Sequence, residues 1–461
     1  MGRPQRPAGR APLGQRRRHS RRVRVGVTRS GGGGHQRGVG RVPADSAMTT
    51  TNHGGTTMHR KKRLAAAILA ALATAALTGP AASAAPRAPY TEPVSVTPEG
   101  KAGNGETRTA VISRDGRHIA LASDAEDLDP NVPHGGMYLR DPHTGKLRFA
   151  GFGGLVAVLN DGRYVYAEYG AESSEVWIHD IATGQRVGFG IEVPEGFTGR
   201  PAEISVSPDG RYAVYTLQDS AEHTSVVFLR DRIKGTTERI SHPRPTWEPR
   251  NAYQPTVSDD GRRIVYQYNY ANGPRGDDWG DVWMYDRTTG EHTQIDRSYD
   301  GSGTEKESLN PSISGDGRTV VFESRDTHLV PGDTDASWNV FVHTLRTGTN
   351  QRIHGTQGGP GEVHTRNAAI SADGRYLTFT SEVTEPGSRY GKEYPVYLRD
   401  LKKGTTTLVT PDTTGGTATA DVLPGRIADG ARRILFRSSD PTLIPAGDTN
   451  DGADAFVRHV R

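Results

Sequence analysis

From about residue 108 the chain alternates apolar and polar positions in short runs, and no stretch carries the period of an amphipathic helix. The alternation is anchored on an Asp-Gly pair that recurs seven times: SRDGRHIALAS, LNDGRYVYAEY, SPDGRYAVYTL, SDDGRRIVYQY, SGDGRTVVFES, SADGRYLTFTS and IADGARRILFRS. The aspartates are Asp115, Asp161, Asp209, Asp260, Asp316, Asp373 and Asp429, spaced by 46, 48, 51, 56, 57 and 56 residues. Behind each pair, apolar residues stand two apart: Ile119 and Leu121, Val165 and Ala167, Ala213 and Tyr215, Ile264 and Tyr266, Val320 and Phe322, Leu377 and Phe379, Ile434 and Phe436. Period two predicts a strand with one consistently buried face.

The rest of each unit follows the same grammar. A short strand precedes the turn, as at 202–207 or 256–258. The turn reads as type I followed by a glycine at positive φ, with Ser207, Pro208, Asp209 and Gly210 in successive places. Gly116, Gly162, Gly210, Gly261, Gly317, Gly374 and Gly430 occupy that position, and the aspartates are read as turn residues that accept backbone amides. A loop of variable length leads to a third strand: MYLRD, VWIHD, VVFLRD, VWMYD, VFVHT, VYLRD or AFVRH. In six copies a second turn follows at Gly145, Gly184, Gly235, Gly290, Gly348 and Gly404, and then a fourth strand. Four short antiparallel strands in each of seven repeats predict an all-β, seven-bladed β-propeller. The seventh copy stops at Arg461 without its fourth strand, whereas EPVSVTPEG precedes the first copy. Pro93–Thr97 is therefore expected to supply the outer strand of the last blade and close the ring.

Composition changes the picture at the N-terminus. Residues 1–57 are rich in Arg and Gly and lack hydrophobic periodicity; they read as an upstream extension or a basic leader. From Met58, a basic stretch (Arg60–Arg63), an apolar run (Leu64–Leu77) and small residues at Ala82 and Ala84 form a secretory signal peptide over 58–85. The apolar run is shorter than the ~20 residues a spanning helix needs, so no stable membrane anchor is expected after cleavage. The native start is expected at Met58, with Met48 the alternative, and the propeller fills 86–461. Of the 57 Lys and Arg and 53 Asp and Glu, the first 85 residues hold 16 and one, leaving 41 and 52. The secreted part is thus acidic, by about 11 charges, and a nucleic-acid partner is not expected. There is no cysteine, which excludes disulfides, thiolate metal sites and a cysteine nucleophile.

The seven Ser-x-Asp-Gly-Arg units resemble the TolB-like β-propeller repeats of exported bacterial proteins, which are distantly related to WD-type repeats. The resemblance covers about 108–461 and implies the fold. It departs at Leu159 and Ile427, which replace the serine, and at Thr344, which replaces the aspartate ending the third strand.

No G-x-S-x-G elbow is present, so a Ser-His-Asp enzyme of the kind that accompanies some propellers is not expected. The histidines show no H-E-x-x-H or paired ligand spacing. Two oxygen-rich loops, Asp333 with Asp335 and Asp448 with Asn450 and Asp454, are a weak alternative for calcium. They lack the EF-hand spacing, and no metal or cofactor is expected. Blade topology puts the short Asp-Gly and Thr-Gly turns on one face and the long variable loops on the other. Function is sought on the second. Arg200, Gln254, Asn310 and Asn367 are expected at the channel rim, with Trp247, Tyr270, Trp279 and Tyr390 nearby; the other reading is that the amides satisfy strand ends and the aromatics pack between blades. These features suggest a secreted, monomeric, non-catalytic scaffold for a protein or an extracellular or envelope ligand. The alternative is a carbohydrate-active hydrolase or lyase using residues at the channel mouth.

Overall fold

A computed structural model describes residues 88–461, except 133, 170–173, 222–223, 242–249, 271–279, 355–363, 383–393, 421–426, 444–449, 451 and 461. The segments expected to form the upstream extension and the signal peptide lie outside the described residues. The described chain is almost wholly β, and none of its helices is long and apolar enough to cross a membrane.

Six sheets have four antiparallel strands each, hydrogen-bonded in chain order. Blade 4 is typical, with Arg250–Val257, Arg263–Tyr270, Gly280–Asp286 and Glu291–Gln294. The first strands of blades 1 to 6 are Thr107–Ile112, Gly154–Val158, Phe197–Val206, Arg250–Val257, Ser308–Ile313 and Thr365–Ile370, and they surround the axis. The seventh sheet draws on both ends of the chain. Tyr90–Pro93 pairs with Asp454–His459, which pairs with Arg433–Ser438, and Ile427 bridges Ile434 at the innermost place.

The ring therefore closes with an N-terminal strand, but the strand lies at Tyr90–Pro93 and not at Pro93–Thr97. Four contacts fix that register. Tyr90 stacks on His459 with ring centroids 4.2 Å apart. Glu92 meets His459 at 3.2 Å and Arg140 of blade 1 at 3.1 Å. The Val94 N–H donates to the Ala455 carbonyl at 2.7 Å. Beyond Val94 the chain leaves the ladder, and the Ser95 hydroxyl donates to Asp454 at 2.6 Å.

The alternating residues behind the turns are buried, as their period requires. Tyr215, Tyr266, Phe322 and Phe379 have no exposed surface. The opposite face of the same strands is buried too, with Val214, Val265 and Val321 equally inaccessible. The sequence pattern suggests one buried face; the ring gives two, because each sheet is sandwiched between neighbours. The core is accordingly divided among the seams. Tyr212 and Val227 of blade 3 pack with Val257 and Tyr266 of blade 4, and Val265 and Val282 of blade 4 pack with Ile313 and Phe341 of blade 5.

Five of the repeated turns are small self-satisfied units. In blade 3 the Ser207 hydroxyl donates to Asp209 at 2.6 Å, and Asp209 accepts the Arg211 N–H at 2.9 Å. The Tyr212 N–H donates back to the Ser207 oxygen at 2.9 Å. Blades 1, 4, 5 and 6 repeat this with Ser113, Ser258, Ser314 and Ser371. All seven turn glycines have positive φ, from 65° to 85°. The seventh turn is one residue longer (Asp-Gly-Ala-Arg), which puts Ala431 at positive φ as well.

The arginine after the glycine reaches the aspartate ending the third strand. Arg211 pairs with Asp231 at 3.0 Å, Arg262 with Asp286 at 2.9 Å and Arg375 with Asp400 at 2.7 Å. Those aspartates also cap the second turn by accepting the N–H groups of residues such as Lys234, Thr288 and Lys403. Burial acts to raise the Asp286 pKa, but hydrogen bonds from Arg262, Thr288 and Arg263 outweigh it and bring the group down to about 2. At Asp400 the Arg375 hydrogen bond dominates over burial, with the same result, about 2. A depressed carboxylate contributes stability above its unfolded value near 3.9 and loses it as the pH falls through its folded value. Asp286→Asn and Asp400→Asn should therefore each lower the melting temperature at pH 7 by about 2–5 °C. The gap to the parent protein should shrink steadily between pH 4 and pH 2; a gap that stays constant over that range contradicts the assignment.

Candidate functional site

The two faces of the ring differ in kind. One carries the turns just described, whose polar side chains and backbone groups already satisfy one another. The other carries the links between second and third strands and between blades, including the long stretches from Ser324 to Asn339 and from Gln294 to Ser308. Between them an axial cavity of about 370 Å³ runs along the first strands.

Four residues form a ring at the loop-face end of the first strands, and two of them, Gln254 and Asn310, line the cavity. Glu203, Gln254, Asn310 and Asn367 each lie six residues before the turn aspartate of their blade, and each has positive φ, from 49° to 54°. Each coincides with a shift of register against the second strand, so each is the extra residue of a β-bulge. The bulge turns the backbone N–H toward the neighbouring blade. The Gln254 N–H donates to Glu203 at 2.9 Å, and the Asn310 N–H donates to Gln254 Oε1 at 3.0 Å. The Asn367 N–H donates to Glu323 at 2.8 Å, and Glu323 also takes a hydrogen bond from the Asn310 side chain. A relay of hydrogen bonds thus joins blades 3 to 6.

Of the residues expected at the rim, Gln254, Asn310 and Asn367 stand together in this ring, and their side chains are used in the wall. Arg200 does not stand in it. It lies three residues nearer the strand start, exposed, and the equivalent position in blade 3 is Glu203. Counting back six residues from the turn aspartate finds Glu203 in the sequence. Choosing polar residues near the strand start does not, because bulges in Phe197–Val206 displace the register. Tyr270 ends the second strand of blade 4, its side chain not among those described, and Trp247, Trp279 and Tyr390 lie outside the described residues.

Burial pushes both carboxylates of the relay upward. At Glu203 this is only partly offset by Gln254 and Thr216, and at Glu323 only partly by Asn367, Asn310 and Arg366.

At the turn end, Arg114 and Pro208, which precede the turn aspartates of blades 1 and 3, line the cavity. Arg114 of blade 1 reaches Asp259 of blade 4 at 2.8 Å. These blades lie on opposite sides of a seven-membered ring, so the ion pair crosses the axis and forms the floor of the cavity. Burial raises the nearby Asp429; Arg114 opposes this, while Asp259, Asp373 and Asp115 add to it.

The oxygen-rich loops are occupied by protein groups. Arg352 forms ion pairs with both Asp333, at 2.5 Å, and Asp335. Asn450 donates to the Gly103 carbonyl at 2.7 Å, and Asp454 accepts from Ser95. Asp448 lies outside the described residues. Among those described, no three His, Asp or Glu side chains are grouped to hold a metal ion.

No protein-family model matches the sequence, and no curated protein matches it significantly. Solved structures do match. An oligogalacturonate lyase from Vibrio parahaemolyticus aligns over 81% of this chain and 98% of its own, at 14% identity and a TM-score of 0.50. TolB from Acinetobacter baumannii aligns over 66% and 63%, at 14% identity and a TM-score of 0.35. The β-propeller domain of the Trilobed protease from Pyrococcus furiosus aligns over 72% and 77%, at 12% identity and a TM-score of 0.35. The fold is a seven-bladed β-propeller. At these identities the likeness concerns the fold alone.

Within this propeller the positive-φ ring gives a direct test. Asn310→Gly keeps the backbone conformation and loses the amide, which should cost about 1 kcal/mol. Asn310→Val adds the strain of a β-branched residue at positive φ and should cost about 2–3 kcal/mol. Urea unfolding of the two variants measures the difference; equal losses would contradict the bulge assignment.

Proposed function

We propose that the chain is a secreted, non-catalytic scaffold that binds a protein or an envelope ligand through its loop face. One observation carries this reading. Among the described residues the three exposed aromatics, Phe152, Tyr299 and Tyr394, all lie in loop-face connections. Phe152 is 63% exposed and Tyr299 53%. Trp338, also in a loop-face connection, stacks between guanidinium groups, with Arg366 4.5 Å and Arg325 5.5 Å from its ring centre. Exposed Tyr, Trp, Phe and Arg are the side chains that anchor protein interfaces, because they bury large areas at low entropic cost. The turn face offers one isolated aliphatic side chain, Ile233.

The triple variant Phe152→Ala, Tyr299→Ala, Tyr394→Ala should lose at least about tenfold in binding to envelope or culture-supernatant fractions of the native host. Ile233→Ser should bind as the parent does. Equal retention of the triple variant and the parent would remove the loop face from consideration.

A second reading, a carbohydrate-active hydrolase or lyase, is favoured by one feature. Glu203 and Glu323 are two carboxylates of raised pKa linked through Gln254 and Asn310, which line the cavity, a pattern that suits general acid–base chemistry. Under this reading Glu203→Gln abolishes turnover of oligosaccharides without unfolding the chain; under the scaffold reading there is no turnover to lose.

A further inference from the structure

The first strands carry a regularity that turn chemistry does not require. Three residues before the turn aspartate, blades 1 to 6 place Ile112, Val158, Val206, Val257, Ile313 and Ile370, all β-branched aliphatics. All six line the axial cavity. Each also belongs to the packing of its own seam, so the cavity wall is the inner edge of the cores between blades.

An innermost strand is an open sheet edge, and its amides would normally demand water along the axis. Here several are taken by the neighbouring blade. The N–H groups of Gln254, Asn310 and Asn367 are bound as described, and the Ile313 N–H donates to the Thr256 hydroxyl at 3.3 Å. Side chains have satisfied these edge groups, and the wall is a ring of aliphatic side chains interrupted by Ser205, Thr256 and Ser312. The floor is the Arg114–Asp259 pair, each charge neutralised by the other. Near the loop end the polar groups are the amides of Gln254 and Asn310, with the Glu203 carboxylate beside them. The cavity of about 370 Å³ falls in the range of small-molecule sites and exceeds twice the ~150 Å³ of an apolar cavity that takes benzene.

We propose that this axial cavity binds a medium-length alkyl chain with an uncharged hydroxyl head, the chain inside the aliphatic ring and the hydroxyl at the amides of Gln254 and Asn310. A hydroxyl can donate to and accept from those amides. A carboxylate head would face Glu203, a like charge. The proposal does not rest on the loop-face reading, since it uses none of the exposed aromatics.

Titration calorimetry of the purified chain with hexanol, octanol, decanol and octanoate tests it. Affinity should rise roughly fourfold for each methylene added until the cavity is filled. Octanoate should bind at least about tenfold more weakly than octanol, the size of an unfavourable polar contact in a partly desolvated site. Ile313→Phe and, at a half-buried wall position where a larger ring is tolerated more easily, Val206→Phe should abolish octanol binding while far-ultraviolet dichroism stays that of the parent. Absence of binding at saturating octanol would overturn the site. So would undiminished affinity in a folded Phe variant. Octanoate binding as tightly as octanol would overturn the assignment of the head group.

Discussion

A ring of sheets has no end, and a linear chain has two; the rest of this structure depends on how that mismatch is resolved. Asp454–His459 would be an open edge at the last blade if Tyr90–Pro93 did not pair with it. The seam is reinforced by groups from both termini and from blade 1. Tyr90 stacks on His459, and Glu92 bridges His459 and Arg140. Hydrogen bonding to His459, helped by Arg140, lowers the pKa of Glu92 despite burial. Arg437 donates to the carbonyls of Thr107 and Arg108, and Arg433 to that of Gly116, tying blade 7 to blade 1 from its other side. Only a closed ring presses sheets against both faces of every blade, and both faces of the second strands are indeed apolar and buried.

Closure also makes the axis. Six first strands and the Ile427 bridge converge there among the described residues, and their edges need partners. The bulges at Glu203, Gln254, Asn310 and Asn367 answer that need by aiming amides at the next blade, and the Arg114–Asp259 pair spans what remains at the turn end. The turn face is thereby spanned by an ion pair, and five of its turns satisfy their own polar groups. Variable sequence and the exposed aromatics are left to the opposite face, the one on which binding is proposed.

How much of this is legible in the sequence depends on the range of the interaction. The Ser-Asp-Gly turns act over five residues, so their roles can be read directly, and the structure reproduces them turn by turn. Blade number follows from the same signal. The closing strand is foreseeable from the missing fourth strand, yet its register is set by Tyr90, Glu92, Arg140 and His459, which are far apart in the chain, and it lies three residues from the expected place. Arg200 is misplaced for a related reason, since a bulge shifts alternation and local polarity does not show it. Arg114 and Asp259 occupy the variable position of their turns and look unremarkable until the ring brings blades 1 and 4 to opposite sides of one axis. The paired loops holding Asp333 and Asp335 look like a cation site in sequence; the cation is the guanidinium of Arg352, which comes from a different strand. Nor does any local pattern separate the exposed Phe152 from the buried Phe189.

The claim that the N-terminal strand closes the ring is tested most directly by thermal melting of a chain that begins at residue 101, compared with one that begins at residue 86. Loss of the strand uncovers the edge at Asp454–His459 and removes the Glu92 and Tyr90 contacts, so the midpoint should fall by roughly 10 °C or more, with the first loss of structure in blade 7. An unchanged midpoint would contradict the account.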